Sequence, residues 1–297
     1  MSRINQHFTL SDGRVLGYNE YGPIDGKPLF YFHGTPSSRV EWQMFGSEQL
    51  ATQLHLRVIS MDRPGMGLSE FQPGRCLSDW PADVVALADG LGIDHFAVLG
   101  FSGGGPYAAV CALAIPERLT YVGIVSGAGP FPETGIAKGV NPVSRQFFEL
   151  CRDKPVQGRV MLRMMGVMAH YVPNRLIAQT MAALPEPDQA VLKRAEVQRW
   201  YLQTLREAQH RGPRGAQHDT ALMVSPWEFR PQEITVAVHL WHGEADRDTP
   251  IAMGRSLAAA IPKSQAHFYP QEGHLSVLMN HIQDILGVFA TGAPASV

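Results

Sequence analysis

Short apolar runs alternate with longer amphipathic stretches along most of this 297-residue chain. Residues 7–10 and 15–21 flank the turn Ser11-Asp12-Gly13, a pattern that predicts an opening β-hairpin. An apolar run at 29–32 stops at His33-Gly34, and another at 56–61 stops at Asp62-Arg63-Pro64-Gly65. Both have the length of buried strands. Further strands are predicted over 96–101, 121–125, 236–241 and 266–269. Helical spacing fills the gaps: about 40–52, from an N-cap at Ser78 to about 91, from Gly103 to about 115, 250–260 and 275–289. Strands alternating with helices imply an α/β protein, a mostly parallel central sheet with helices on both faces.

That rhythm stops between Pro130 and Trp227. Residues 159–182 and 188–210 read as helices, with Val191, Ala195, Leu202 and Leu205 on one face. Arg211-Gly-Pro-Arg-Gly reads as a loop. The expected organisation is a core domain of 1–129 and 228–297, interrupted by a helical cap over 130–227. Within that insertion Met161, Met164, Met165 and Met168 share one helix face. Such a stripe serves either the packing of a lid helix or an adaptable apolar wall over a site.

Composition narrows the class. Apolar residues make up 45% and charged residues 18%, with a net charge of −2, so neither a nucleic-acid partner nor a membrane partner is expected. Cys76, Cys111 and Cys151 are odd in number and lack C-x-x-C spacing, which argues against a disulfide framework. The first residues lack the pattern of a signal peptide, and no apolar run has the length of a membrane span. A cytoplasmic protein is expected, as a monomer or a homodimer.

The segment Gly100-Phe101-Ser102-Gly103-Gly104 fits G-x-S-x-G, between the apolar 97–99 and the helical 107–113. A strand turning sharply into a helix leaves the serine side chain standing clear, and flanking glycines remove Cβ atoms that would clash. The hydroxyl then sits at a helix N-terminus, where free N–H groups favour negative charge. Two other readings compete. One is a tight turn with an incidental serine. The other is dinucleotide binding by Gly103-x-Gly105-x-x-Ala108, but the next strand ends in Val125-Ser126-Gly127 rather than the acidic residue that fingerprint needs.

Four motifs in order make the chain resemble the α/β-hydrolase superfamily over nearly its whole length. His33-Gly34-Thr35-Pro36 is similar to the HG-x-P oxyanion loop. Asp62-Arg63-Pro64-Gly65-Met66-Gly67-Leu68-Ser69 is similar to the D-x-x-G-x-G-x-S loop and is read as architectural. The elbow follows, and then Trp241-His242-Gly243-Glu244-Ala245-Asp246 and Glu272-Gly273-His274 resemble the acid and histidine loops. The resemblance implies Ser102 as nucleophile, His274 as general base and Asp246 as the acid that orients it. It implies the backbone N–H groups of Thr35 and Gly103 as oxyanion donors, each worth about 3 kcal/mol. Asp248 is an alternative acid, two residues on. His33, Phe101, Met161 and Met165 are candidate pocket residues, with His33 also suited to bracing its own loop.

His239 and His242 lie three apart on a strand, so they point to opposite faces and chelate poorly. No metal and no cofactor are expected. Related enzymes with HG-x-P loops cleave epoxides or haloalkanes with an elbow aspartate, so Ser102 points instead to acyl chemistry on a small, partly apolar substrate. Carboxylesters, thioesters, lactones, amides and C–C bonds all remain open. A proline-specific aminopeptidase would need cap carboxylates for the substrate amine, for which Glu149, Glu186, Asp188, Glu196 and Glu207 are available. A ligand-binding receptor that keeps the fold with little turnover is the reading of another class.

Overall fold

The computed structural model describes residues 2–46, 48–129 and 139–291. Strands β1 (Arg3–Thr9) and β2 (Val15–Tyr21) form the opening hairpin. Next come β3 (Lys27–Phe32), the short helices α1 (Trp42–Phe45) and α2 (Glu48–Gln53), and β4 (Leu56–Met61). They are followed by α3 (Trp80–Gly90), β5 (Phe96–Phe101), α4 (Gly105–Ala114) and β6 (Leu119–Val125). The order across the sheet is β1-β2-β4-β3-β5-β6, continued by β7 (Val238–Gly243) and β8 (Ser264–Tyr269). The two hairpin-side pairings are antiparallel and the rest are parallel.

Alternation along the central strands builds two cores. In β3, Phe30 and Phe32 face one layer, with Trp80, Val84 and Tyr107 from α3 and α4. Leu29 and Tyr31 face the other, with Trp42 and with Ile285 and Phe289 of α12 (Ser276–Thr291). Helix α11 (Ile251–Ala260) joins the first layer through Leu257. The expected sheet, mostly parallel and covered on both faces, is the observed one.

Between β6 and β7 no strand occurs among the described residues. Six helices fill the interval: α5 (Pro142–Asp153), α6 (Pro155–Tyr171), α7 (Pro173–Ala183), α8 (Glu186–Leu192), α9 (Ala195–Glu207) and α10 (Arg214–Val224). The two long helices expected there are four shorter ones. Pro173 explains the break in the first, since proline suits the first turn of a helix and not its interior, while the second breaks at Lys193-Arg194 and the Pro185-Glu186-Pro187 segment fills the expected gap between the two. Arg214, expected in a loop, already opens α10. The helix expected at 40–52 is likewise interrupted, with α1 ending at Gly46, whose backbone is extended. Ser78 does not cap α3. It lies inside a 3-10 turn whose backbone is closed by Cys76 and Asp79, with Asp79 accepting from the Cys76 N–H at 2.8 Å.

Candidate active site

The parallel strands end on one edge of the sheet, and the loops that leave β3, β5, β7 and β8 meet there. Strand β5 ends at Phe101, and Ser102 adopts φ +54°, a left-handed conformation rare for a side chain other than glycine. The turn is tight enough to dictate its neighbours. A Cβ on Gly100 would sit 2.3 Å from the Gly104 carbonyl oxygen, and one on Gly104 would sit 2.1 Å from that of Phe32. The glycines of the motif are therefore steric requirements of this turn.

His274 lies in the loop between β8 and α12. Its Nε2 lies 2.9 Å from Ser102 Oγ and its Nδ1 2.8 Å from Asp246 Oδ2. Asp246 Oδ1 accepts the backbone N–H groups of Asp248 and Thr249, each at 2.9 Å. The Thr249 hydroxyl lies 2.9 Å from Asp246 Oδ2, 2.8 Å from the Ser126 carbonyl oxygen and 3.1 Å from His274 Nδ1. Burial disfavours the charged form of His274, but the adjoining Asp246 carboxylate overrides it and pushes the imidazole pKa up to about 9. Burial alone would raise Asp246, and His274 beside it lowers it instead. The structure brings Ser102, His274 and Asp246 together, while Asp248 lines the same cavity with its Oδ1 directed to other partners. Asp248 Oδ1 accepts from Asn141 Nδ2 at 2.6 Å and Ser144 Oγ at 2.7 Å, at the start of α5.

Thr35 and Gly103 are also brought together: a Cβ on Gly103 would meet Thr35 Oγ1 at 2.6 Å. His33 is fully buried and does not line the cavity, contrary to its expected place in the pocket. Its ring is spent on the loop itself, with Nδ1 donating to the Gly34 carbonyl at 2.7 Å and Nε2 accepting the Arg63 N–H at 3.3 Å. Phe101, Met161 and Met165 do line a cavity of about 850 Å³ that also contains Ser102 and His274. All four methionines of the sequence stripe border it, so that face of α6 is turned to the cavity. None of the five insertion carboxylates considered for an amine lines it.

His239 stacks between Tyr121 and Trp241, while His242 donates from Nε2 to the Thr249 carbonyl at 2.6 Å. Among the described residues no cluster of three or more His, Cys, Asp or Glu side chains has a metal-holding arrangement.

Several residues at the site carried no usable sequence signal. Asp188 of α8 is buried and accepts the backbone N–H groups of His274, Leu275 and Ser276 at 2.8–2.9 Å, so it holds the histidine loop rather than a substrate amine. Gly273 permits this approach, since a Cβ there would lie 2.4 Å from Asp188 Oδ2. Asp219 of α10 accepts from Arg63 Nε at 3.0 Å, Arg75 Nη2 at 2.7 Å and the Tyr107 hydroxyl at 2.6 Å, and also from the Thr35 hydroxyl. Burial would raise its carboxyl, but Arg63 and Arg75 hold it well below the usual carboxylate range. Thr249, three positions after Asp246, had a local signal only in that spacing.

A model of the alpha/beta hydrolase family matches residues 29–286. The non-heme chloroperoxidase of Streptomyces lividans is 37% identical over 126 residues, covering 41% of this chain and 44% of that protein. The bifunctional esterase/perhydrolase DCH of Acinetobacter calcoaceticus is 23% identical over 272 residues, covering 90% and 92%. Among solved structures, a hydrolase from Pseudomonas aeruginosa PA01 superposes with a TM-score of 0.72 at 21% identity, covering 97% of this chain and 98% of that one.

Proposed function

The chain belongs to the alpha/beta hydrolase family and is a hydrolase, and on that premise we propose that it cleaves an ester or similar acyl bond through an acyl-enzyme on Ser102. The observation that carries this reading is the continuous chain Ser102 Oγ, His274 Nε2 and Nδ1, Asp246 Oδ2, with contacts of 2.9 and 2.8 Å. As Oγ attacks the carbonyl carbon, His274 Nε2 takes the hydroxyl proton and then delivers it to the leaving oxygen. Water deprotonated by His274 then attacks the acyl carbon, the acyl–Oγ bond breaks as His274 returns the proton to Ser102 Oγ, and the acid leaves. Asp246 fixes the ring with its proton on Nδ1 and stabilises the imidazolium.

The oxyanion is assigned to the N–H groups of Thr35 and Gly103. Support for Thr35 comes from its peptide plane. The Gly34 carbonyl oxygen accepts from His33 Nδ1 at 2.7 Å and Arg63 Nη2 at 2.9 Å. In a trans peptide the N–H points opposite to the C=O, so fixing that carbonyl on one side aims the Thr35 N–H to the other. The donors on the carbonyl also polarise the amide and strengthen it as a donor. On this reading His33 and Arg63 act as positioning residues for the Thr35 N–H, without touching substrate.

We assign residues 130–227 to a cap, whose α5 and α6 wall the cavity. The lining is largely aliphatic, aromatic and thioether, which favours a substrate with a sizeable apolar portion. An aminopeptidase is disfavoured, since Asp188 is consumed by the His274 loop and Glu207 pairs with Arg39 at 2.8 Å. The test is hydrolysis of a series of soluble 4-nitrophenyl esters by native protein and by Ser102→Ala. Turnover in the native protein that falls at least 10³-fold in the variant is the expected result. Turnover that survives the substitution would overturn the assignment.

A further inference from the structure

Large apolar side chains left exposed are concentrated in one part of the molecule. Val143 of α5, Val156, Val160, Met164, Val167 and Tyr171 of α6, and the adjoining Val172 account for all but Ile4 and Ile24 among the described residues. The α6 members are spaced four, four, three and four residues apart, which is a single stripe along the whole helix. They are well exposed, Val156 at 65% and Tyr171 at 75%. Scattered exposed apolar residues need no explanation, but a contiguous stripe of this kind marks an interaction surface.

The remaining faces of α6 are accounted for. Gly158, Leu162 and Ala169 are buried against neighbouring helices. Met161, Met165 and Met168 face the cavity. Between the buried face and the exposed stripe lie Arg159, Arg163 and His170. The helix contains no Asp or Glu, and no carboxylate among the described residues pairs with either arginine. Val143, Val160 and Met164 are both exposed and part of the cavity lining, so the stripe is continuous with the cavity rim.

We propose that the outer face of α6 docks on the surface of an anionic phospholipid bilayer. An amphipathic helix with an apolar stripe beside cations lies flat in such a surface, its apolar face among the acyl chains and its arginines at the headgroup phosphates. Charge argues against a second copy of this chain, because antiparallel two-fold pairing of α6 would bring like-charged arginines together and pairing in either sense would leave them without a counter-charge from the facing helix, which has no Asp or Glu. No helix among the described residues is long and apolar enough to cross a membrane, so the contact is peripheral. This departs from the expectation that the protein has no membrane partner: the net charge of −2 averages over the molecule and hides a locally cationic helix. Docking itself stands independently of the acyl chemistry; the use of the surface as a source of apolar substrate rests on the proposed hydrolase reading.

The experiment is co-sedimentation with vesicles, using Ser102→Ala so that lipid is not consumed. Vesicles of equal parts phosphatidylglycerol and phosphatidylcholine are compared with pure phosphatidylcholine, at low and at 0.5 M salt. The proposal expects at least tenfold more protein on the anionic vesicles, a preference largely lost at high salt. In Val156→Glu/Val167→Glu binding falls at least tenfold, and Arg159→Gln/Arg163→Gln loses the anionic preference. Neither valine lines the cavity, so with Ser102 restored the valine variant hydrolyses a soluble short ester at the native rate and is thereby shown to be folded. Folded protein that ignores anionic vesicles overturns the proposal. Self-association abolished by Val156→Glu/Val167→Glu, with no vesicle binding, would overturn it in favour of a second copy. Vesicle binding without ester hydrolysis by the native protein would instead remove the acyl reading and leave docking intact.

Discussion

At the scale of single residues, the proposed general base His274 sets the expected pH response. The general base must be neutral to take the Ser102 proton, so kcat/KM rises as pH rises through the imidazole pKa. Asp246 holds that pKa up, to about 9, so the acidic limb of the profile lies well above the ordinary imidazole range. Asp246→Asn removes the opposing charge while leaving the burial, so the limb moves to lower pH even as kcat falls by about 10³–10⁴. A pH–rate profile of both proteins reads the shift; an unmoved limb would contradict it. Asp248→Asn costs far less rate, since Asp248 is engaged with Asn141 and Ser144. Ser102, His274 and Asp246 were legible in the sequence because each sits in a short motif after a strand, and backbone geometry there demands particular neighbours. Asp188 and Asp219 were not. Each is an unremarkable acid in a helical stretch, and its role comes from donors 86 and 156 residues away along the chain.

Among the elements, the loops that carry the site are set by glycines and by carboxylates that accept several backbone or side-chain donors. Gly104→Ala drives a Cβ onto the Phe32 carbonyl, and the strain is expected to destabilise the fold by about 1–3 kcal/mol. Urea denaturation measures it. Asp188→Ala leaves three buried backbone N–H groups without their acceptor, at a cost of about 1–3 kcal/mol for each group that water cannot reach. It also frees the His274 loop, so kcat falls while KM changes little. Strands were the most legible elements, because a buried strand needs a continuous apolar run. Helices α5 and α10 escaped notice: α5 is polar on most of its surface, and α10 begins directly after the Gly212-Pro213 pair that reads as a turn. The gap around Pro185 and Pro187 was read from the sequence, whereas the break at Pro173 was visible only as a residue, because the apolar periodicity runs across it.

For the molecule as a whole, the insertion divides into an anchored half and an outer half. Helices α8, α9 and α10 reach the core through Asp188, through Glu207 on Arg39 and through Asp219 on Arg63 and Arg75. Asp219→Ala leaves two buried arginines unpaired, which is expected to cost about 3–5 kcal/mol and to loosen the Thr35 loop. Helices α5 and α6, the former tied to Asp248 at its start, bring apolar side chains to the cavity, and on the proposed reading they set substrate preference. Met161→Ser with Met165→Ser lowers kcat/KM for an octanoyl ester by about 5–30-fold, the loss of roughly 1–2 kcal/mol of apolar contact, and hardly alters an acetyl ester. Equal effects on both esters would contradict an apolar acyl site beneath α6. The fold class was readable from the chain because alternation of strand and helix repeats over its length, whereas the cavity arises only where the insertion folds back on the sheet edge. An activated Ser102 is tested by labelling with a fluorophosphonate followed by digestion to locate the adduct. One adduct is expected, on Ser102, absent from Ser102→Ala and strongly slowed in His274→Gln; no adduct on folded native protein, or an adduct elsewhere, would show that Ser102 is not the nucleophile.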